Sequence, residues 1–261
     1  MDYSWVLACA SGVAMLGGLM AFAADREPAP ELKVPFVKDA QVKIDGALDD
    51  PIWSKAAVTD HFRLTDGAMP KGRMRLLVAQ DQKNLYIGVE VFGTEDQMKK
   101  LVATHHTHDA SGIWDDDVVE LFIDPTNERK SYCEFIINSQ GVTFDAYHRR
   151  PGRADTKWDP KYQAAARVNK TSWTVELALP LDMFDRHPRP RDKWMFNVLV
   201  FRTADNEYCY WSPVYQESAH APDKFGTLTG LVIPEDQSKS QPAAGPAAGP
   251  ASGPAPTSRP A

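Results

Sequence analysis

The sequence predicts an all-β protein in which two antiparallel sheets pack face to face. Short apolar runs with period-2 alternation recur along the middle of the chain, and turn residues separate each run from the next. No helical stripe exceeds about two turns, and the segments between strands are too short for the crossover helices of a parallel sheet. These observations favour an antiparallel β-sandwich of the jelly-roll or immunoglobulin-like kind, with few short helices.

Each predicted strand is recognised by the side chains that share one of its faces. In the segment 85–91, for example, Leu85, Ile87 and Val89 point to one side, after a hairpin-like turn at 81–84. Two short helices are predicted at 94–102 and 181–185. The predicted strands cover residues 73–79, 85–91, 118–124, 131–138, 142–148, 173–179, 194–200, 207–212 and 226–233.

Five large or reactive side chains fall inside these patterns and are expected in the core. Trp53, Trp173 and Trp194 lie in strand or short-helix patterns. Cys133 and Cys209 lie in two different strand-like runs. They would pair as a disulfide if those strands were neighbours, or stay separate as buried thiols, and the sequence leaves both alternatives open.

The N-terminal segment 1–24 is predicted to be a signal peptide or an N-terminal membrane anchor. Residues 5–24 carry no charge, and the segment ends in the small-x-small pattern of Ala21 to Ala23. Asp2 and the lack of Lys or Arg depart from an ordinary signal, and the apolar length nearly spans a bilayer. We therefore expect a secreted, periplasmic or cell-envelope protein, with membrane anchoring through this segment as the alternative.

The rest of the chain divides into a lead-in at 25–39, one folded domain at 40–233 and a tail at 234–261. The tail is rich in Pro, Ala and Gly and has almost no charge or large apolar side chains, so it is expected to be disordered. The formal net charge is −6 without a Lys/Arg stripe, which argues against a nucleic-acid partner. A monomer is expected.

The run from Trp114 to Asp124 carries the clearest chemistry. It joins an aromatic ring and three loop carboxylates to a strand in which Glu120 lies among apolar neighbours. A carboxylate on a mostly apolar face needs a partner, because a lone buried charge is costly. A pyranose offers an apolar face and a rim of hydroxyls, so a ring beside a carboxylate suits a sugar. The alternative is a sheet residue satisfied by an arginine, such as Arg202, or by backbone amides.

Five local motifs, taken in order, resemble the family 9 carbohydrate-binding modules within the wider group of DOMON-type sandwiches. The resemblance covers about residues 40–233 and implies a sugar-binding sandwich, often attached to xylanases or other polysaccharide hydrolases, with structural calcium in some members. The motifs are Ile44-Asp45-Gly46-Ala47-Leu48-Asp49-Asp50-Pro51-Ile52-Trp53, Asn84-Leu85-Tyr86-Ile87-Gly88-Val89, Asp117-Val118-Val119-Glu120-Leu121-Phe122-Ile123-Asp124-Pro125, Trp173-Thr174-Val175-Glu176-Leu177-Ala178-Leu179-Pro180, and Trp211-Ser212-Pro213 with Lys224-Phe225-Gly226.

The resemblance also implies roles for individual residues. Trp114 falls on the first of two clamping tryptophans, and Glu120 falls on the carboxylate that accepts from the sugar hydroxyls. By spacing, Ala219 takes the second tryptophan position, with His220 beside it and Gln216 near an amide position. The family's strand arginine falls at Ile136.

Two further residues are candidates for sugar contact, and two groups are candidates for a metal ion. Trp158, in a polar loop, is a possible replacement for the missing clamp ring, and Asn138 offers an amide. The calcium candidates are Asp45, Asp49 and Asp117. The other group is His105, His106, His108 and Asp109, which is either a metal site or a polar surface loop.

Three function classes follow from these patterns. The first is a secreted, non-catalytic protein that binds mono-, oligo- or polysaccharides of the xylan or cellulose kind. The second is a glycoside hydrolase, which needs two carboxylates placed on either side of the glycosidic bond, and Glu120 with Asp117 or Glu134 are the candidates. The third is an electron-transfer domain that holds haem noncovalently through Met or His.

Overall fold

The computed structural model describes residues 26–184 and 192–232. The predicted signal or anchor at 1–24 and the predicted tail at 234–261 lie outside the described residues. Within the two described ranges, no helix has both the length and the apolar character needed to cross a membrane.

The described residues form fourteen strands, one helix and four short 3-10 turns. The strands are β1 (Glu31–Lys33), β2 (Ala57–Thr59), β3 (Arg63–Leu64), β4 (Met74–Gln80), β5 (Asn84–Phe92), β6 (Val118–Asp124), β7 (Tyr132–Asn138), β8 (Thr143–His148), β9 (Ala154–Asp155), β10 (Gln163–Val168), β11 (Ser172–Pro180), β12 (Trp194–Arg202), β13 (Glu207–Tyr210) and β14 (Gly226–Thr229). The helix α1 spans Glu95–Met98, and the 3-10 turns are Trp53–Lys55, Ile113–Asp115, Leu181–Met183 and Pro222–Lys224.

The strands assemble into two sheets, as the sequence predicts. The nine-stranded sheet has the order β1-β14-β12-β6-β7-β8-β9. β13 lies on the same edge of β12 as β14 but pairs with the C-terminal part of β12, and β3 pairs with the other edge of β13. The five-stranded sheet has the order β10-β11-β5-β4-β2. Neighbours are antiparallel except for β1 and β14, which are parallel. The predicted all-β sandwich is confirmed. The strands β1, β2, β3, β9 and β10 were not predicted, because they are short or their side chains do not clearly alternate between apolar and polar.

The core lies between the two sheets and follows the predicted period of two. Val119, Leu121 and Ile123 of β6 point inward, where they meet the inward side of β5 and β11 in one apolar cluster. Trp173 and Trp194 are buried in the same cluster, as expected. Val34, in the predicted lead-in, also packs there and follows β1, so the folded unit includes residues before position 40.

The two predicted helices are shorter than expected. Helix α1 keeps only one turn, which begins at a capping box in which the Thr94 hydroxyl accepts from the amide of Gln97 and the Gln97 side chain accepts from the amide of Thr94. The second is reduced to the 3-10 turn Leu181–Met183, and its predicted end at 185 lies outside the described residues.

Cys133 and Cys209 are not joined by a disulfide. Cys133 lies on β7 and Cys209 on β13, with β6 and β12 between them. Three strand spacings correspond to about 14 Å, which is beyond the reach of a disulfide.

The segment before β2 covers the outer face of the five-stranded sheet through one buried carboxylate. Glu176 on β11 accepts hydrogen bonds from the indole nitrogen of Trp53 at 2.9 Å and from the amides of Asp45 and Gly46 at 3.0 Å each. Gly88 makes room for this contact, because a Cβ there would lie 3.2 Å from the Trp53 ring. Trp53 is therefore buried, as expected, but on the outside of this sheet.

Two aspartates of the motif after Trp114 tie the segment 102–105 and the residue after β12 to the start of β6. Asp116 accepts from the amide and hydroxyl of Thr104 at 2.8 Å each, and from the amide of His105. Asp117 accepts from the amide of Val102 at 2.7 Å and from the amide and hydroxyl of Thr203. Each carboxylate thus serves as the hydrogen-bond acceptor for backbone N–H groups that have no strand partner at this end of the sheet.

We predict that Glu176→Gln destabilises the domain by about 1–3 kcal/mol, because the amide leaves at least one buried N–H donor facing another donor. The measurement is urea unfolding followed by fluorescence. Glu90→Gln is the matched control, since Glu90 lies on the same face of the same sheet but pairs with the exposed Arg75, and such a pair contributes about 0–1 kcal/mol. Equal losses in the two variants would contradict the role assigned to Glu176.

We also predict a pH-dependent effect of Asp116→Asn. Burial alone would raise the pKa of Asp116, but the hydrogen bonds from Thr104, Asn138 and His105 outweigh it and lower the pKa to about 2. Because the folded pKa is below the ordinary value of 3.8, the charged group stabilises the fold above about pH 4, and this contribution is lost as the pH falls toward 2. The variant should be less stable by about 2 kcal/mol at neutral pH, with the difference shrinking in acid.

The measurement is urea unfolding of both proteins at a series of pH values. Asp115→Asn is the control, since Asp115 is the exposed neighbour in the same run and should match the parent throughout. A stability difference for Asp116→Asn that stays constant down to pH 2 would show that its charge plays no part.

Candidate functional site

The predicted sugar-binding residues of β6 lie on the outer face of the nine-stranded sheet, the face that points away from the five-stranded sheet. Strand pairing aligns Tyr210, Leu199, Glu120, Ile136 and Phe144 in one row across β13, β12, β6, β7 and β8. Two apolar clusters include the rest of this row, one with Ile136 and Phe144 and the other with Leu199 and Tyr210. The first contains Ile113, Val118, Ile136, Phe144, Ala146 and Phe201. The second contains Phe122, Tyr132, Met195, Leu199, Tyr210, Val214, Ala221 and Phe225.

Trp114 stands at the edge of the first cluster with its ring partly free. It lies in the 3-10 turn Ile113–Asp115 and remains 45% exposed. Its ring meets Phe144 edge to face, with centroids 6.1 Å apart and an interplanar angle of 85°. Because the turn is held by Asp116, the indole is positioned by the fold while a large part of it faces solvent.

Tyr208 is a second exposed aromatic residue on the same cluster, and the sequence analysis did not identify it. Its ring stacks on Phe201 at 4.5 Å and is also 45% exposed. Its place opposite Phe201 on β13 follows from strand pairing. The alternation of Tyr208 with Cys209 predicts that their side chains lie on opposite faces of the strand. Which of the two faces points outward depends on the partner strand.

Glu120 lies in the floor of the outer face beside a second carboxyl group, that of Glu134. Glu120 is 6% and Glu134 5% exposed. Burial, together with the charge of Glu134, raises the pKa of Glu120 well above its ordinary value. The expected alternative partner Arg202 is elsewhere, because it pairs with Asp205 at 2.8 Å at the sheet end. Glu120 therefore favours its protonated form and shares a hydrogen bond with Glu134.

Two histidines complete this group of acids. His148 on β8 places Nε2 2.7 Å from Oε2 of Glu134, and His220, in the loop before β14, places Nε2 3.9 Å from Oε1. Burial by itself raises the pKa of Glu134, but the hydrogen bonds with His148 and Glu120 and the charges of the two histidines together outweigh burial, and the pKa is lowered. Burial lowers the pKa of His220. The Tyr132 ring stacks on His148 at 4.6 Å.

The loop that carries the second clamp position, where the sequence has Ala219 in place of a ring, packs down on the sheet. Ala219 lies against the second apolar cluster. The His220 ring contacts Phe122 at 5.7 Å and His148 at 4.7 Å, so it is engaged within the fold. Gln216 is exposed, and its side chain donates to the carbonyl of Ser218. His220 lies beside Phe122, toward the C-terminal end of β6, whereas Trp114 precedes the N-terminal end of that strand.

Trp158 and Asn138 are not available beside Trp114 for contact with a sugar on the outer face. Trp158 packs on Phe135 at 5.7 Å and on Tyr147 at 6.2 Å, both of which point to the inner side of the sheet. A ring on that side cannot face Trp114. Asn138 is fully buried, and its amide makes four internal hydrogen bonds, two as donor and two as acceptor. Its hydrogen-bonding capacity is used within the protein.

The calcium candidates do not converge on one site. The carboxylate oxygens of Asp117 accept hydrogen bonds from N–H and O–H donors of the protein, so they are not directed at a calcium ion. Asp45 pairs with Lys43 at 2.8 Å on the other sheet, and Asp49 is exposed. These residues do not fit a shared calcium ion.

The histidine loop was predicted to be either a metal site or a polar surface loop, and its residues divide between the two. His106 is exposed, and His105 binds Asp116 through its backbone amide. His108 and Asp109, however, meet the buried Asp145, and the three can offer atoms within 4.8 Å of one another. Burial, followed by the charge of Asp109, raises the pKa of Asp145 to about 7.

Comparison with known proteins agrees with the predicted fold and family. A family model described as carbohydrate family 9 binding domain-like matches residues 44–231. The exoglucanase XynX of Acetivibrio thermocellus is 28% identical over 140 residues, which cover 52% of this chain and 11% of that enzyme. The chain thus spans about a tenth of the length of this relative.

Three solved structures share the fold. A protein of Bacteroides uniformis described as carbohydrate-binding superposes with a TM-score of 0.59 at 18% identity, covering 77% of this chain and 99% of its own. A family 9 carbohydrate-binding module of Caldicellulosiruptor kristjanssonii, in complex with cellotriose, gives 0.56 at 15% identity, covering 79% and 96%. Its complex with glucose gives 0.54 at 15%, covering 76% and 94%. The chain belongs to the carbohydrate family 9 binding domain-like family.

Proposed function

We propose that this chain is a secreted, non-catalytic domain that binds glucose-based oligosaccharides on the outer face of the nine-stranded sheet. Trp114 is the platform on which a pyranose stacks, and Tyr208 is a second platform for a further sugar unit. Glu120 is the polar group in the floor between them. The proposal concerns neutral sugars, because the two rings and the apolar cluster beneath them offer no cation for an acidic sugar.

The observation that carries the proposal is the pair of exposed rings on one apolar cluster. Among the large hydrophobic residues that are exposed in the described part of the chain, Trp114 and Tyr208 both rest on the cluster that contains Phe144 and Phe201. Exposing two aromatic rings on one face is unfavourable without a ligand, and ring faces suit the apolar face of a sugar. The scaffold holds both rings in place before binding, which lowers the entropy cost.

The spacing of the rings suits a chain of sugars. Four strand spacings separate β13, which carries Tyr208, from β8, which carries Phe144 beneath Trp114. At about 4.8 Å each, this is about 19 Å. One pyranose does not cover that distance, whereas an oligosaccharide does. The family 9 module complexes with cellotriose and with glucose supply the choice of test ligands.

The acid pair favours binding over hydrolysis. A glycosidase needs its two carboxyl groups about 5–9.5 Å apart, on either side of the scissile bond. Glu120 and Glu134 share a hydrogen bond instead, so no glycosidic bond fits between them. Neither the hydrolase nor the haem alternative rests on an observation as specific as the exposed rings.

We predict that Trp114→Ala weakens binding of both glucose and cellotriose by about tenfold or more, since lost stacking costs on the order of 1–3 kcal/mol. Isothermal titration calorimetry measures both ligands. Phe36→Ala is the matched control, because Phe36 is an exposed ring (39%) that pairs with the edge of the five-stranded sheet. Unchanged affinity of the Trp114 variant would refute the proposed platform.

Tyr208→Ala is expected to separate a long ligand from a short one. It should weaken cellopentaose binding about three- to tenfold and leave glucose binding close to that of the parent, because five sugar units reach from Trp114 to Tyr208 and one does not. The same titrations, with cellopentaose added, provide the measurement. A Tyr208 variant that binds cellopentaose like the parent would confine the binding surface to Trp114.

A further inference from the structure

A group of two acids and two imidazoles on the outer face has no Lys or Arg partner among the described residues. Glu120 and Glu134 are buried side by side, and within residues 26–184 and 192–232 neither carboxyl group pairs with a Lys or Arg. The ionisable partners in contact with them are His148 and His220, together with each other. Two buried carboxyl groups without a fixed positive charge are unusual, because each buried charge needs compensation.

Three of these side chains converge as metal ligands do. Glu134, His148 and His220 each offer one atom, and these atoms lie within 4.8 Å of one another. Nε2 of His148 is 2.7 Å and Nε2 of His220 is 3.9 Å from the Glu134 oxygens. Ligand atoms around tetrahedral Zn²⁺ lie about 3.3 Å apart. The two observed distances, which run to different oxygens of Glu134, lie on either side of this value. The upper bound of 4.8 Å on all the separations places the three side chains within reach of one ion after side-chain adjustment.

We propose that Glu134, His148 and His220 form a binding site for a divalent transition metal of the Zn²⁺ class, with Glu120 as the adjacent carboxylate that balances its charge. Two imidazoles with one carboxylate are a common ligand set for zinc. Metal binding would release the proton of Glu120, and a dication with two carboxylates and two neutral imidazoles then has no net charge, which removes the cost of burying the acids. This site adjoins the proposed sugar surface and shares Glu120 with it, but its three ligands belong to neither exposed ring, so zinc binding does not require sugar binding.

The surroundings supply the outer contacts of such a site. Nδ1 of His220 lies 2.9 Å from the hydroxyl of Tyr132, so its second nitrogen has a partner while Nε2 faces the acids. Nδ1 of His148 has no hydrogen-bond partner within the described residues. An ion bound at Nε2 would replace the hydrogen bond between Nε2 and Glu134, and the ring proton would then reside on Nδ1. The His220 side chain is 32% exposed, which leaves a path for the ion and a position open to water.

The test is zinc binding by the full chain without an affinity tag, after removal of bound metal with a chelator. Calorimetry and metal analysis after dialysis give affinity and stoichiometry. The parent should bind zinc at this site, and His220→Asn should lose one equivalent or bind it at least tenfold more weakly. His108→Asn is the matched control, since His108 belongs to the other candidate group, with Asp109 and Asp145, and should keep this equivalent.

Two further measurements keep the outcome interpretable. Co²⁺ substitution should give the strong visible absorption of a tetrahedral site in the parent, and His148→Gln should lose it. Circular dichroism shows whether each variant is folded, and His220→Asn is the safer change because His220 is partly exposed. Trp114→Ala should retain zinc, which separates this proposal from sugar binding. A parent that binds no zinc, or a folded His220→Asn that binds it as tightly as the parent, would overturn the proposal.

Discussion

The alternation of side chains along β6 is the constraint on which the rest of this structure depends. Val119, Leu121 and Ile123 fill the space between the sheets, so Val118, Glu120 and Phe122 must point away from it. A slip of one residue would place a carboxyl group in the sandwich core and three apolar side chains outside. Pairing with β7 and β12 on both sides fixes the register. The position of Glu120 on the outer face is therefore a consequence of core packing.

Buried carboxyl groups in this domain fall into two kinds that differ in their partners. Glu176, Asp116 and Asp117 are each surrounded by N–H or O–H donors from distant segments, and they hold those segments in place. Glu120 and Glu134 meet each other and imidazole rings instead. The first kind is explained by the fold. The second kind is not required for packing, which is why the outer face is where we place the chemistry of this domain.

The outer face also shows how a family scaffold can keep its architecture while its surface changes. The position expected for a second clamp ring holds Ala219, which packs on the sheet. The exposed ring that shares the first apolar cluster with Trp114 comes instead from β13, as Tyr208. His220, beside Ala219, turns toward Glu134 and not toward Trp114. The two exposed rings thus lie toward the N-terminal end of β6, and Glu134 with the two histidines lies toward its C-terminal end.

The sequence by itself determined the fold class, most of the strands, the family and the separation of Glu120 from Val119, Leu121 and Ile123 onto opposite faces of β6. These follow from local alternation and from the order of short motifs, which need no knowledge of strand neighbours. Only the tertiary structure decided that Trp158 lies on the inner side, that Asn138 is internally satisfied and that Cys133 and Cys209 are too far apart to pair. It also brought His148 and His220 to Glu134. Contacts of this kind depend on the order of strands in the sheet and on loop paths, and residues distant in sequence carry no local record of either.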